Sequence, residues 1–175
     1  MEAFLEPPVS EVDTPHPVLA GVAKWVVFSL DGGRYALPLA SVQRIVRAAE
    51  VTPLPSAPAT VLGALDVEGD VLPVFNIRRR LGLPERDIDP ANQFVIARSA
   101  HRTVVLVIDA AHGILECDPS DTISAQDIVT GLEHIHGVIR LADGLALIHD
   151  LDRFLSTEES RTLDEALTAG IAHVG

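Results

Sequence analysis

Two stretches decide the fold: residues 61–81, VLGALDVEGDVLPVFNIRRRL, and residues 135–155, IHGVIRLADGLALIHDLDRFL. They align without a gap at an offset of 74 residues. Gly63 meets Gly137, Leu65 meets Ile139, Val71 meets Leu145 and Val74 meets Ile148. Asn76 meets Asp150, Ile77 meets Leu151 and Leu81 meets Leu155. Each unit reads as a glycine-led strand, a tight turn, a second strand, an Asx cap and one or two helical turns. The matched caps carry most weight, because a cap must stand at one position relative to strand and helix. The turns differ by a residue, since Gly69 does not align with Gly144. The chain therefore contains two related β subdomains.

Outward from this repeat the pattern stays β. Residues 25–30, WVVFSL, and 34–39, RYALPL, flank Asp31-Gly32-Gly33, a hairpin turn that exploits the positive φ open to glycine. Residues 41–46, SVQRIV, fit a short helix or a strand, and periodicity does not decide between them. Further β runs are expected at 94–97, 103–108, 114–117 and 138–141. Asn76 should cap a short helix over 77–81, ended by Gly82. Ser156-Thr-Glu-Glu159 is a capping box that opens a last helix, with Leu163 and Leu167 on one face. Many short strands punctuated by Gly and Pro predict a mainly β fold of small barrels, with short helices and a C-terminal helix. The expected organisation is a Pro-rich acidic disordered tail over 1–22, a two-barrel body over 23–156, and a C-terminal helix and tail over 157–175.

Composition narrows the function. The chain has 175 residues and a net charge of -12, with 25 acidic residues against 13 basic ones. Such a surface opposes nucleic acid and anionic lipid. A length of this order buries roughly 70% of the unfolded surface without staples. The single cysteine, Cys117, cannot form an internal disulfide, which suits a reducing compartment. The first residues lack a basic segment followed by an apolar run, and no apolar run is long enough to insert in a membrane. A cytoplasmic location is expected.

No nucleophile elbow, phosphate-binding loop, dinucleotide fingerprint or zinc-protease helix occurs. His134 and His136 could share a strand face, yet no third ligand stands near them. Asp150 is explained as a cap. Arg78-Arg79-Arg80 is the only basic cluster, and with Ile77 and Leu81 turned inward its three arginines are expected to face solvent. A small β-barrel enzyme using His134, His136 or Asp150 is the reading from the catalytic class, but no nucleophile–base–orienter set supports it. No cofactor or metal is expected.

Four pieces in order resemble the CheW-type adaptor family of bacterial chemotaxis. They are WVVFSLDGGRYALPLASVQRIV from Trp25, PLPSAPATVLGALDVEGDVLPVFNIRRRLGL from Pro53, VVLVIDAAHGILEC from Val104 and GLALIHDLDRFLSTEES from Gly144. The resemblance runs from about Trp25 to about Ala169. It implies two SH3-like five-stranded β-barrels on a shared apolar core, with no enzymatic activity. It also implies an adaptor between chemoreceptor cytoplasmic helices and the regulatory domain of a CheA-type histidine kinase. One barrel would dock edge to edge on the kinase's homologous barrels, and the groove between barrels would take the receptor's helical hairpin.

Partner-binding residues carried over from the resemblance are Val42 in the receptor-facing segment, Gly63 before the interface hairpin, Gly69 in its turn, and Val105, Val107 and Ile108, with Asp109, on a later strand. Two departures invert charge. Where the family reads Asn-x-Arg-Gly, this chain has Asp66-Val67-Glu68-Gly69, and Arg44 stands where the family often has an acid. Glu68 and Arg44 then either meet a partner with compensating charge, mark a module that keeps this fold but uses a divergent, non-standard partner, or pair with each other inside the domain. His149 replaces a commonly apolar residue, which would make its barrel pH-sensitive unless the imidazole is exposed.

Overall fold

A computed structural model of the chain describes residues 23–124 and 135–174. The strands are β1 (Ala23–Leu30), β2 (Gly33–Pro38), β3 (Val42–Arg47), β4 (Val61–Val67), β5 (Asp70–Phe75), β6 (Gln93–Arg98), β7 (Thr103–Ile108), β8 (Ala110–Cys117), β9 (Thr122–Ser124), β10 (Ile135–Leu141) and β11 (Gly144–His149). The helices are α1 (Ile77–Leu81) and α2 (Thr157–Val174). Two sheets result, ordered β8-β1-β2-β11-β10-β9 and β3-β6-β7-β5-β4. They form the two small barrel subdomains. One has the expected five strands, and the other gains β9, a three-residue strand with too little apolar pattern to stand out in sequence.

The repeat is reproduced down to its irregularities. In the first unit the register shifts between Val61↔Phe75 and Gly63↔Val74. In the second it shifts between Ile135↔His149 and Gly137↔Ile148, the same positions 74 residues on. Both glycines are there for the same reason. A Cβ on Gly63 would overlap the Thr52 carbonyl, and one on Gly137 would overlap the Ile123 carbonyl. Those carbonyls belong to the segments that close each barrel. Thr52 bonds Ala64 in both directions, at 3.0 and 2.8 Å, and Ile123 pairs with Val138. Asn76 and Asp150 both cap, accepting from the backbone N–H of Arg79 and Asp152, each at 3.1 Å.

The chain order shows how the halves interlock. The β1–β2 hairpin precedes β3, yet it joins the sheet of β8–β11, where β2 runs parallel to β11. The β6–β7 hairpin precedes β8, yet it joins the sheet of β3–β5, where β7 runs parallel to β5. Each barrel thus borrows the hairpin that lies before the other half's strands. Alternation along the borrowed hairpins then fills three apolar clusters. Val27 and Ala36 point into one barrel with Ile139, Ala146 and Ile148. Phe94, Ile96 and Val105 point into the other with Val74. The opposite faces, Phe28, Leu30 and Leu37 from one hairpin and Val95, Val104, Leu106 and Ile108 from the other, build the core between barrels. Phe75 and Phe154 stack there, with centroids 4.3 Å apart.

Several expectations are resolved or corrected. Of residues 41–46, Ser41 ends a 3-10 turn over Leu39–Ser41 and the rest are strand, part of β3. The runs at 114–117 and 138–141 are parts of longer strands. The hairpin turns hold: Asp31 and Gly32 take φ of 52° and 85°, and Glu68 and Gly69 take 54° and 95°. The capping box forms, with the Ser156 N–H donating to Glu159 and the Glu159 N–H donating to Ser156, at 3.0 and 3.1 Å. Leu163 is buried, and Leu167 packs beside it on the central core. The expected disordered tail and His134 lie outside the described residues.

The arginine cluster departs most from expectation. Only Arg79 is turned outward, toward Glu85 at 2.6 Å. The Arg78 side chain is 10% exposed, and Arg80 lies over the Phe154 ring and pairs with Glu159. A short helix wedged between two barrels has little solvent face, so cations can point inward only where carboxylates await them. His149 is also inside, 2% exposed, with its ring 5.5 Å from that of Phe154. The exposed-imidazole reading is therefore overturned.

Candidate docking surfaces

The first surface is the β4–β5 turn and the outer edge of β3. Asp66 accepts the Gly69 N–H at 2.8 Å, which fixes the two-residue turn and projects Glu68 outward. Arg44 on β3 donates to Glu68 at 3.0 Å. The two charge-inverted positions are thus partners within one domain. Val42 is half-buried at the start of β3, and Gly69 is exposed. Gly63 is buried under the strand-closing segment and supplies geometry, not contact surface.

The later strand is placed differently. Val105 and Ile108 have no exposed surface, facing one barrel interior and the central core respectively. Neither touches a partner directly without the fold opening. Val107 is half-buried beside the β3–β5 barrel core. Asp109, next in sequence, is held by Arg78 at 2.7 Å and accepts the Asp31 N–H at 2.7 Å. Arg78 also reaches Asp31 and the Pro84 carbonyl, both at 3.3 Å. This node ties α1, which follows β5 of one barrel, to the β1–β2 turn of the other and to the β7–β8 link that joins the two. Burial pushes the nearby Tyr35 hydroxyl pKa up, and Asp31 adds to the effect while Arg78 opposes it.

The second surface is a groove between barrels, of about 430 Å³. Trp25, Leu37 and Pro38 form one wall, residues 148–152 another, and residues 98–100, the end of β6 and the start of the turn after it, the third. Asp152 accepts the Ala100 N–H at 2.7 Å and so holds the third wall in place.

The third surface is paired. Val71 on β5 and Leu145 on β11 are 40% and 57% exposed, large apolar residues open to water. They occupy the same position of the repeat. Both sit in apolar runs, so their outward face is not legible from sequence. Among the described residues no group of His, Cys, Asp and Glu is arranged to hold a metal ion.

The family model for the CheW-like domain matches residues 24–159. The chain belongs to the CheW-like domain family. Chemotaxis protein CheW of Treponema pallidum is 27% identical over 144 residues, covering 79% of this chain and 85% of the relative. CheW of Rhizobium meliloti is 27% identical over 141 residues, covering 79% and 91%. The crystal structure of the scaffolding protein TtCheW from Thermoanaerobacter tengcongensis superposes with a TM-score of 0.72 at 22% identity, covering 78% of this chain and 94% of that one. The CheW-like fold thus accounts for both barrels and the hairpin exchange between them. No described helix of this CheW-like chain is long and apolar enough to cross a membrane.

Proposed function

We propose that this chain is a non-enzymatic chemotaxis adaptor that couples chemoreceptors to a CheA-type histidine kinase in the cytoplasm. The observation that carries the reading is the paired apolar exposure of Val71 and Leu145 on CheW-like barrels related by the repeat. Two equivalent barrels with equivalent apolar residues suit partners that are themselves built of such barrels, as the kinase's regulatory domain is in this family. The interbarrel groove, walled by Trp25, Leu37 and Pro38, suits the apolar stripe of a receptor helix. Val42 and the Arg44–Glu68 end supply the rim of that assembly. An adaptor needs no reacting group, only surfaces that bind two partners at once.

The test is titration calorimetry of the full chain against the regulatory domain of a kinase from its own cell, and against the cytoplasmic hairpin of a receptor from that cell. Both should bind. Val71→Asp and Leu145→Asp should each weaken kinase binding while leaving the circular dichroism spectrum intact. Failure to bind any such kinase domain would overturn the reading.

A further inference from the structure

A groove on the outer side of the β3–β5 barrel is used by none of the surfaces above. Its volume is about 730 Å³. One bank is the segment 48–51 that leaves β3, and the other is residues 85–90. The floor is apolar. Leu62, the extra residue of the β4 bulge, is 36% exposed there. Val51 and Ile88 flank it, both packed on the barrel core.

The rim is acidic. Glu50, Glu85, Asp87 and Asp89 line it, against one cation, Arg86. That cation is committed elsewhere, 3.0 Å from Asp31. Glu85 is also satisfied, by Asn76 and Arg79. Asp89 accepts the Ala91 N–H at 2.7 Å. Among the described residues, Glu50, Asp87 and Asp89 have no cation within ion-pair distance. The groove thus holds three carboxylates without a counter-cation, Glu50 on one bank and Asp87 and Asp89 on the other, above a floor that a bulge has opened to water.

We infer that this groove docks a protein segment presenting an apolar side chain flanked by arginine or lysine. The apolar side chain covers Leu62, Val51 and Ile88, and the flanking cations meet Glu50 and Asp87. An anionic ligand is opposed by the rim and by the net charge of -12. An anionic membrane is opposed on the same ground. The site shares no residue with the Arg44–Glu68 end, the interbarrel groove or the Val71 and Leu145 positions, so both kinds of contact can form together.

The probe is a short capped peptide with two central leucines flanked by arginines, titrated into the full isotope-labelled chain and followed by amide chemical shifts. Saturable shifts centred on Val51, Leu62 and Ile88 are expected. The same peptide with glutamates for arginines should give none. Leu62→Ser and Asp87→Lys each change an exposed side chain, and each should raise the dissociation constant about tenfold, or about 1.4 kcal/mol. Absence of shifts at these three residues would overturn the inference. Shifts spread over the whole acidic surface, unchanged in either variant, would overturn it equally.

Discussion

Arg44 and Glu68 are bonded at 3.0 Å although they come from opposite ends of one sheet. In the order β3-β6-β7-β5-β4, Arg44 lies on the first strand and Glu68 on the turn joining the last two. Only a sheet curled back on itself can bring them together, so the pair marks the seam of the barrel. It also explains two departures at once. Each residue alone looks like a misplaced charge, but together they form one ion pair within the domain.

Both side chains are well exposed, at 43% and 75%, so the pair is worth at most about 1 kcal/mol. Arg44→Glu or Glu68→Arg alone should cost about 0.5–1 kcal/mol in urea unfolding, through like charges at the seam. The double exchange, Arg44→Glu with Glu68→Arg, should regain most of that. Binding should behave otherwise. If this end touches the kinase, the double exchange keeps its stability and still loses affinity for the cognate partner. A double variant that binds as the parent does would remove this end from the interface.

The Arg78 node should matter more for stability than the seam. Its guanidinium is nearly buried and faces two carboxylates, Asp31 and Asp109, that remain 21% and 29% exposed. Arg78→Met removes the cation and leaves those carboxylates near one another. The expected loss is about 3 kcal/mol, at the low end for breaking a buried pair because the carboxylates keep some water. Asp109→Asn should cost less, since Arg78 retains Asp31 and the Pro84 carbonyl. Equal losses in the two variants would mean that Asp109 alone carries the node.

Glu159 links stability to pH. Burial raises its carboxyl pKa, but the Ser156 N–H, the Arg80 guanidinium and the Ser156 hydroxyl outweigh this and hold it below the ordinary value of 4.5. A carboxyl with a lowered native pKa binds protons less readily in the folded state. Its contribution is therefore complete above pH 4.5 and is lost as the pH falls through the native value. Glu159→Gln should lower the urea midpoint at pH 7 and flatten its decline below pH 4.5. A parallel decline in both proteins would assign the acid sensitivity to other carboxylates.

The elements legible in the sequence were those with local causes. The turns at Asp31-Gly32 and Glu68-Gly69, the caps at Asn76 and Asp150, and the box at Ser156 and Glu159 each depend on residues a few positions apart. The repeat was legible because gapless alignment needs no tertiary knowledge. What could not be read was which neighbour a strand joins. Nothing within residues 23–38 says that β1 and β2 cross to the sheet of β8–β11. From that crossing follow the inward turn of Arg78, which needs Asp31 beside it, and the burial of Val105 and Ile108. Strand periodicity gave two faces for β7, and only the second barrel revealed that both are covered. Thr122–Ser124 was missed because it is short and is made a strand by Gly137, which lets the Ile123 carbonyl approach.

The paired glycines give the most direct test of the repeat as a physical unit. At Gly63 and Gly137 a Cβ would come closer than 3.0 Å to a backbone oxygen, that of Thr52 or Ile123. Backbone cannot swing aside as a flexible side chain does, so the closing segment must move away from its strand. Gly63→Ala should cost about 1–3 kcal/mol, as overpacking does. It should also weaken the Thr52–Ala64 bonds, seen as faster hydrogen exchange at both amides. Gly137→Ala should act the same way on the Ile123–Val138 pairing, and the other barrel should keep its protection. Gly69→Ala is the control. It meets no atom within 4 Å but sits at φ 95°, so its cost of about 1–2 kcal/mol is backbone strain, with no loss of protection at Thr52. If Gly63→Ala leaves the exchange at Thr52 and Ala64 unchanged, the glycine is not what lets the barrel close.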